Sequence, residues 1–304
     1  MSINRRSFIK STGLFLGVGT LNPLLAKVYN DDFEKITILH TNDVHSHIDE
    51  FPKNHTSHAY EGGVAHRAAL IQSIRKTEKN VLLFDAGDIF QGTPYFNLFQ
   101  GQMEYDVMNY LKYDATTIGN HDFDIGINGL VKQLNRAKFS MLNANYLTQD
   151  TALDGLVKPN QIFEKSGIKV GVFGIGIELE GLVPSNLCKG VVYQDPISIF
   201  RKQEQLLKSQ GCDIIVCLSH LGFSYKELKI SDQELAHISE YTDLIIGGHT
   251  HTFLDKPRRL KNALGKDVII NQAGWAGLRL GRVDFYVDKS KKSASVFGTN
   301  LTVG

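Results

Sequence analysis

From Ile36 onward the chain alternates short apolar runs, rich in β-branched residues, with longer segments whose apolar residues recur at helical spacing. The runs "KITILHTND", "VLLFDAGD", "DATTIGNHD", "FSMLNAN", "KVGVFGIG", "DIIVCLSHLG", "DLIIGGHTH", "DVIINQAG" and "RVDFYVD" each predict a strand that ends in Gly or polar residues. Between them, "GGVAHRAALIQSIRKT", "NGLVKQLNRA", "SIFRKQEQLLKSQ" and "DQELAHISEYT" predict helices. The strands are apolar almost without interruption, which requires cover on both faces and implies sheets flanked by helices, an α/β domain. No repeat, low-complexity tract or Pro-rich linker interrupts this pattern, so residues 27–304 predict a single domain.

Five of these strands end in the polar strings NDVH, GD, GNHD, SH and GGHTH. In α/β sheets the ligand crevice lies beyond the carboxyl ends of the strands, so these ends are expected to converge. Asp43 and His45 are two apart and so face one side; His249 and His251 repeat that spacing after Gly247 and Gly248. Asp88 and Asn120 each follow a glycine that permits a sharp turn, and His220 follows "VCLS". Any one of these residues alone reads as a turn residue, a helix cap or a hydrogen-bonded histidine. Five strand ends that all carry ligand-type side chains predict a metal site instead.

Formal net charge is +1, from 33 basic and 32 acidic residues, and no basic or acidic run points to a nucleic-acid polymer or a disordered partner segment. Cys188, Cys212 and Cys217 form no C-x-x-C pair, so a thiolate zinc site is not indicated, and Cys217 reads as a small buried hydrophobe. At the N-terminus Arg5 and Arg6 precede Phe8 and a weakly apolar stretch, "GLFLGVGTLNPLLA". That stretch is too short and too interrupted to span a bilayer. Residues 1–26 resemble a twin-arginine export signal, which implies a periplasmic or otherwise exported protein without a membrane anchor.

The ordered set D-x-H, GD, GNH-D, H, GH-x-H, within "ILHTNDVHSH", "FDAGDIFQGTP", "TIGNHDFDIG" and "IIGGHTHT", resembles the calcineurin-like metallophosphoesterases. The longer strings are similar to the catalytic domain of the 5′-nucleotidase branch. The resemblance implies a four-layer αββα sandwich of two mixed β-sheets flanked by helices, holding two divalent metal ions. Matched position by position, it implies Asp43, His45, Asp88 and His251 at one ion, and Asp88, Asn120, His220 and His249 at the other, with Asp88 bridging. His121 and Asp124 match the family's catalytic dyad. His47 and Asp122 are left with supporting or turn roles, and the aromatics Tyr95, Phe96 and Trp275 with packing.

Paired divalent ions about 3.5–4 Å apart clamp the attacking and leaving oxygens of an in-line displacement and acidify water to hydroxide. The mixed N/O donor set suits Zn²⁺, Mn²⁺ or Fe²⁺. The expected substrate is a phosphomonoester of the nucleotide type. Members of the branch carry a further C-terminal domain that sandwiches the base, and these 304 residues close soon after the last predicted strand. Two arrangements fit: a separate specificity-domain partner that docks here, or a standalone phosphatase of other specificity. A phosphodiesterase or thiosulfate-ester hydrolase on the same site is the alternative chemistry, and a metal-binding scaffold subunit the non-catalytic one.

Overall fold

A computed structural model describes residues 33–288 and 293–304, so the export signal expected over residues 1–26 lies outside the described residues. Two mixed sheets dominate. The first has seven strands in the order β15-β14-β1-β2-β3-β4-β6. These are β1 (Phe33–Thr41), β2 (Val81–Asp85), β3 (Ala115–Thr117), β4 (Ser140–Leu142), β6 (Val157–Lys158), β14 (Arg279–Asp288) and β15 (Ser293–Thr302). The second has six strands in the order β12-β13-β11-β10-β8-β7. These are β7 (Asn160–Lys165), β8 (Ile168–Ile175), β10 (Ile214–Ser219), β11 (Leu244–Gly247), β12 (Arg258–Lys261) and β13 (Asp267–Asn271). A minor ribbon pairs β5 (Tyr146–Leu147) with β9 (Val192–Tyr193).

Side-chain alternation along the strands sorts the core into three layers. Ile36 and Ile38 of β1, Leu82 and Phe84 of β2, Val170 and Val172 of β8, and Val216 and Leu218 of β10 fill the space between the sheets. Their opposite-facing neighbours Leu39 and Leu83 pack outward against α1 (Val64–Thr77), α3 (Gln102–Leu111) and α4 (Gly126–Leu134). On the second sheet Phe173, Ile215 and Cys217 face outward onto α5 (Pro196–Ser209) and α6 (Asp232–Ile238). The layers therefore run helix, sheet, sheet, helix, as the resemblance implies. Both faces of each central strand are buried, which is why these strands read as unbroken apolar runs.

Within each sheet the central strands are parallel: β1 to β2 to β3 to β4 in the first, and β8 to β10 to β11 to β13 in the second. The five ends that carry polar strings thus open toward one region. Residues 94–111, to which the periodicity assigns no element, form α2 (Pro94–Phe99) and α3 on either side of a turn with Gln100 at φ 49° and Gly101 at φ 84°. Each helix is too short to show a helical period over a useful window. Strand β15 is likewise unassigned by pattern; its extended state comes from a ten-residue ladder with β14. Among the described residues no helix is long and apolar enough to cross a membrane.

Leu82, fully buried between the sheets, tests the layering. Leu82→Ala is expected to destabilise the protein by about 2–5 kcal/mol. In urea the midpoint should fall with little change in slope; an unmoved midpoint would contradict the core assignment.

Candidate metal centre

The loop after β1 runs beside the loop after β2 and extends their parallel pairing. Asp43, His45 and Ser46 donate backbone N–H to the carbonyls of Gly87, Asp88 and Ile89 at 2.9, 3.1 and 3.0 Å. This path forces unusual backbone angles. Asp43, His45, Asp88, His249 and His251 all have φ between 48° and 71°, a region that non-glycine residues rarely occupy. Such strain persists only where the surroundings over-determine it, and it concentrates at functional sites. Gly87 and Gly248 make room beside it: a Cβ on Gly87 would lie 2.6 Å from the Gly119 nitrogen, and one on Gly248 2.8 Å from the Ala86 carbonyl oxygen.

The seven expected ligands converge as two adjoining clusters. Asp43, His45 and His251 bring one donor atom each within 4.8 Å of one another, and Asp88, His220 and His249 do the same. Asn120 joins the second cluster, with Oδ1 3.0 Å from His249 Nδ1. Asp88 Oδ2 lies 3.1 Å from His220 Nε2 and 3.8 Å from His45 Nε2, so one carboxylate oxygen faces both clusters.

The donor chemistry fits cations. His45 donates Nδ1–H to the Phe90 carbonyl at 3.0 Å, which leaves Nε2 as a lone pair, and His251 Nε2 sits 3.0 Å from it. His220 donates Nδ1–H to the Ala86 carbonyl at 2.6 Å. Its Nε2 is buried without a hydrogen-bond partner, aimed at Asp88. Two lone-pair donors facing each other require a proton or a metal between them. Burial alone would depress His220, but the Asp88 charge overrides it and lifts the imidazole to about 10. Burial would raise Asp88, and the His220 charge instead holds it below the usual carboxylate range. Asp43 is raised well above that range by burial, against the pull of His220. Cation binding among such donors would compete with their protons.

His121 Nδ1 lies 2.9 Å from Asp124 Oδ2, and that hydrogen bond raises the imidazole above its ordinary value despite partial burial. The His121 ring centroid is 5.3 Å from that of His45, beside the clusters, and its backbone N–H donates to Asp88 Oδ1 at 2.8 Å. His47 stays outside both clusters: its Nδ1 turns back to the carbonyls of Val44 and His45. Phe96 is buried, and the Tyr95 hydroxyl donates to Asp49 at 2.7 Å.

Three residues with structural work at the site have no distinguishing sequence signal. Asp122, fully buried, accepts backbone N–H bonds from Gly119, Ile89 and Asp88 at 2.8, 2.9 and 3.2 Å, tying the two glycine turns together. Asn42 donates to the Asp43 carboxylate and to the Gly274 carbonyl, each at 2.6 Å. Gln272 donates to the Gly248 carbonyl at 2.7 Å and steadies the turn before His249. All three sit next to motif residues or on a predicted strand end, but amides and carboxyls there are common without such a role.

A four-layer sandwich with paired donor clusters at its strand ends defines a class. The profile of the family described as Calcineurin-like phosphoesterase matches residues 36–253, and the chain belongs to that family of metal-dependent phosphoester hydrolases. Among curated relatives, the snake venom 5′-nucleotidase of Naja atra is 37% identical over 227 residues, 72% of this chain and 42% of that protein. The crystal structure of a 5′-nucleotidase precursor from Thermus thermophilus superposes with a TM-score of 0.81 at 33% identity, covering 89% of this chain and 55% of that one. The NAD nucleotidase of Haemophilus influenzae gives a TM-score of 0.76 at 28% identity, covering 87% and 49%. The chain thus spans less than half the length of the curated relative it matches.

Removing the Asp122 carboxylate would leave three backbone donors unpaired in a buried site. Asp122→Ala is expected to weaken cation affinity at the cluster around Asp88 by about 10–100-fold, the range seen when groups behind metal ligands are removed. Metal stoichiometry after dialysis against a graded chelator measures it; an unchanged affinity would assign Asp122 to the turn alone.

Proposed function

We propose that this chain is a dinuclear-metal phosphomonoesterase of the 5′-nucleotidase type. Asp43, His45, Asp88 and His251 hold one divalent cation, Asp88, Asn120, His220 and His249 the other, and His121 with Asp124 completes the catalytic set. The observation that carries this reading is the position of Asp88 Oδ2, within reach of imidazoles from both clusters. Divalent cations held there would supply acidification of water and electrostatic stabilisation of an in-line displacement.

The chain's own groups supply the rest. Asn120 offers a neutral amide oxygen, which completes a donor set without cancelling further positive charge needed for a phosphate dianion. His121 is part-buried, and its hydrogen bond to Asp124 raises the imidazole above its ordinary value. It is placed to donate to a phosphoryl oxygen or to the departing alkoxide. Asp124 fixes its tautomer by accepting from Nδ1. The strained loops hold these groups before substrate arrives, so reorganisation during reaction is small.

A nucleoside monophosphate is the proposed substrate, by analogy with the 5′-nucleotidases that the chain resembles. A separate specificity-domain partner is proposed as the source of base contacts, the longer relatives being consistent with one. Export through the Arg5–Arg6 segment is proposed on the sequence pattern alone.

The purified chain loaded with Mn²⁺ or Zn²⁺ is expected to hydrolyse p-nitrophenyl phosphate and AMP, with activity abolished by chelation and restored by metal. Full turnover in exhaustively demetallated protein would overturn the mechanism, and faster cleavage of bis(p-nitrophenyl) phosphate or of a thiosulfate ester would redirect it to the alternative chemistry. His121→Ala is expected to keep both cations while kcat falls by about 10²–10⁴-fold. Loss of metal stoichiometry in that variant would place His121 among the ligands instead.

A further inference from the structure

Next to the metal centre lies a run of aromatic and imidazole rings that the proposed reaction does not use. Trp275 is stacked parallel to His251, with ring centroids 6.0 Å apart and planes 9° from parallel. His47 and Phe51 lie at steep angles to the Trp275 ring, with centroids 5.1 and 6.0 Å away, and hold the indole in place. Phe253, two residues beyond His251, is 41% exposed and lies near-parallel to His58 at 6.3 Å. The His251 side chain is itself 41% exposed.

The backbone holds these rings in place. The Ala276 N–H donates to the Asp43 carbonyl at 2.8 Å, which anchors the segment carrying Trp275 to a ligand loop. Phe253 bridges to Ala273, and its ring lies against Gly274, where φ is 75° and any Cβ would collide with that ring. Trp275 and Phe253 therefore flank one glycine turn. Large rings left part-exposed on a fixed backbone, beside a site for a charged group, are a specific surface for a planar apolar ligand.

We propose that Trp275, with Phe253 on the other side of the Gly274 turn, is a stacking subsite on this chain for the heteroaromatic ring of a phosphomonoester's leaving group. The phosphate end of this proposal rests on the hydrolase reading above; the ring end does not. The substrate class is a phosphate ester of an alcohol bearing a planar base, and aliphatic esters gain nothing from the shelf. Base–aromatic stacking is worth about 1–3 kcal/mol per base, so the expected preference is about fivefold or more.

The sequence contains a single tryptophan, so intrinsic indole emission reports on this ring alone. Adenosine, which lacks the phosphate, should quench that emission saturably in the full chain with or without metal, while ribose should not. Phe253→Ala should weaken adenosine binding about fivefold or more. With metal restored, kcat/KM for AMP should exceed that for ribose 5-phosphate, the same ester without the base, and the ratio should fall toward one in Trp275→Leu. Identical emission with adenosine and ribose, or a ratio of one in the unmodified chain, would overturn the subsite. If adenosine quenches but neither ester is hydrolysed, the hydrolase reading fails and the subsite stands.

Discussion

The structure turns on one buried charge. Asp88 is 1% exposed and sits between two sets of imidazoles, where an unpaired carboxylate would cost several kcal/mol. Everything nearby compensates it or fixes its place. His220 faces its Oδ2, the His121 backbone N–H donates to its Oδ1, and Asp122 accepts the N–H of Asp88 itself. A pair of carboxylates, Asp43 and Asp88, packed among histidines makes a poor core but a strong cation trap. That trade explains why so many of the buried polar side chains collect at one end of the sheets.

The layering makes the trap rigid. Leu218 and Leu82 lock β10 and β2 into the inter-sheet core a few residues before His220 and Asp88 emerge. Ligands that leave a packed strand end have little freedom, and the parallel register of each sheet aims their loops at a common point. The left-handed angles at five of the seven candidate ligands show how far the chain is bent to achieve this. Strand-like pairing between residues 43–46 and 87–89 and the Asp43 carboxylate's acceptance of the His249 N–H hold that bent state. Packing energy in the sheets thus offsets strain in the loops.

Much of this is legible in the sequence because two strong patterns coincide there. Unbroken apolar runs mark strands buried on both faces, and the polar strings at their ends mark the crevice. Each is set by local chemistry and needs no knowledge of distant contacts. What escapes depends on partners far along the chain. The α2–α3 pair is broken by the Gln100–Gly101 turn, and β15 is extended only because β14 templates it. Asp122 looks like any acidic residue after a histidine until the Gly87 and Gly119 turns are brought to its two oxygens. Trp275 reads as packing because its functional neighbour in space, His251, is 24 positions away. The left-handed ligand angles carry no signal at all, since nothing in Asp or His as residue types announces them.

Asn42 shows why the metal centre and the aromatic shelf behave as one device. Its amide nitrogen bonds both the Asp43 carboxylate and the Gly274 carbonyl, while its oxygen accepts the Ala273 N–H at 2.8 Å. One buried side chain therefore ties the Asp43 carboxylate to the turn that carries Trp275 and against which Phe253 packs. His251 completes the link from the other side, with an edge turned to the cluster and a face laid parallel to the indole. A shift of either element would move both the Asp43 carboxylate and the indole.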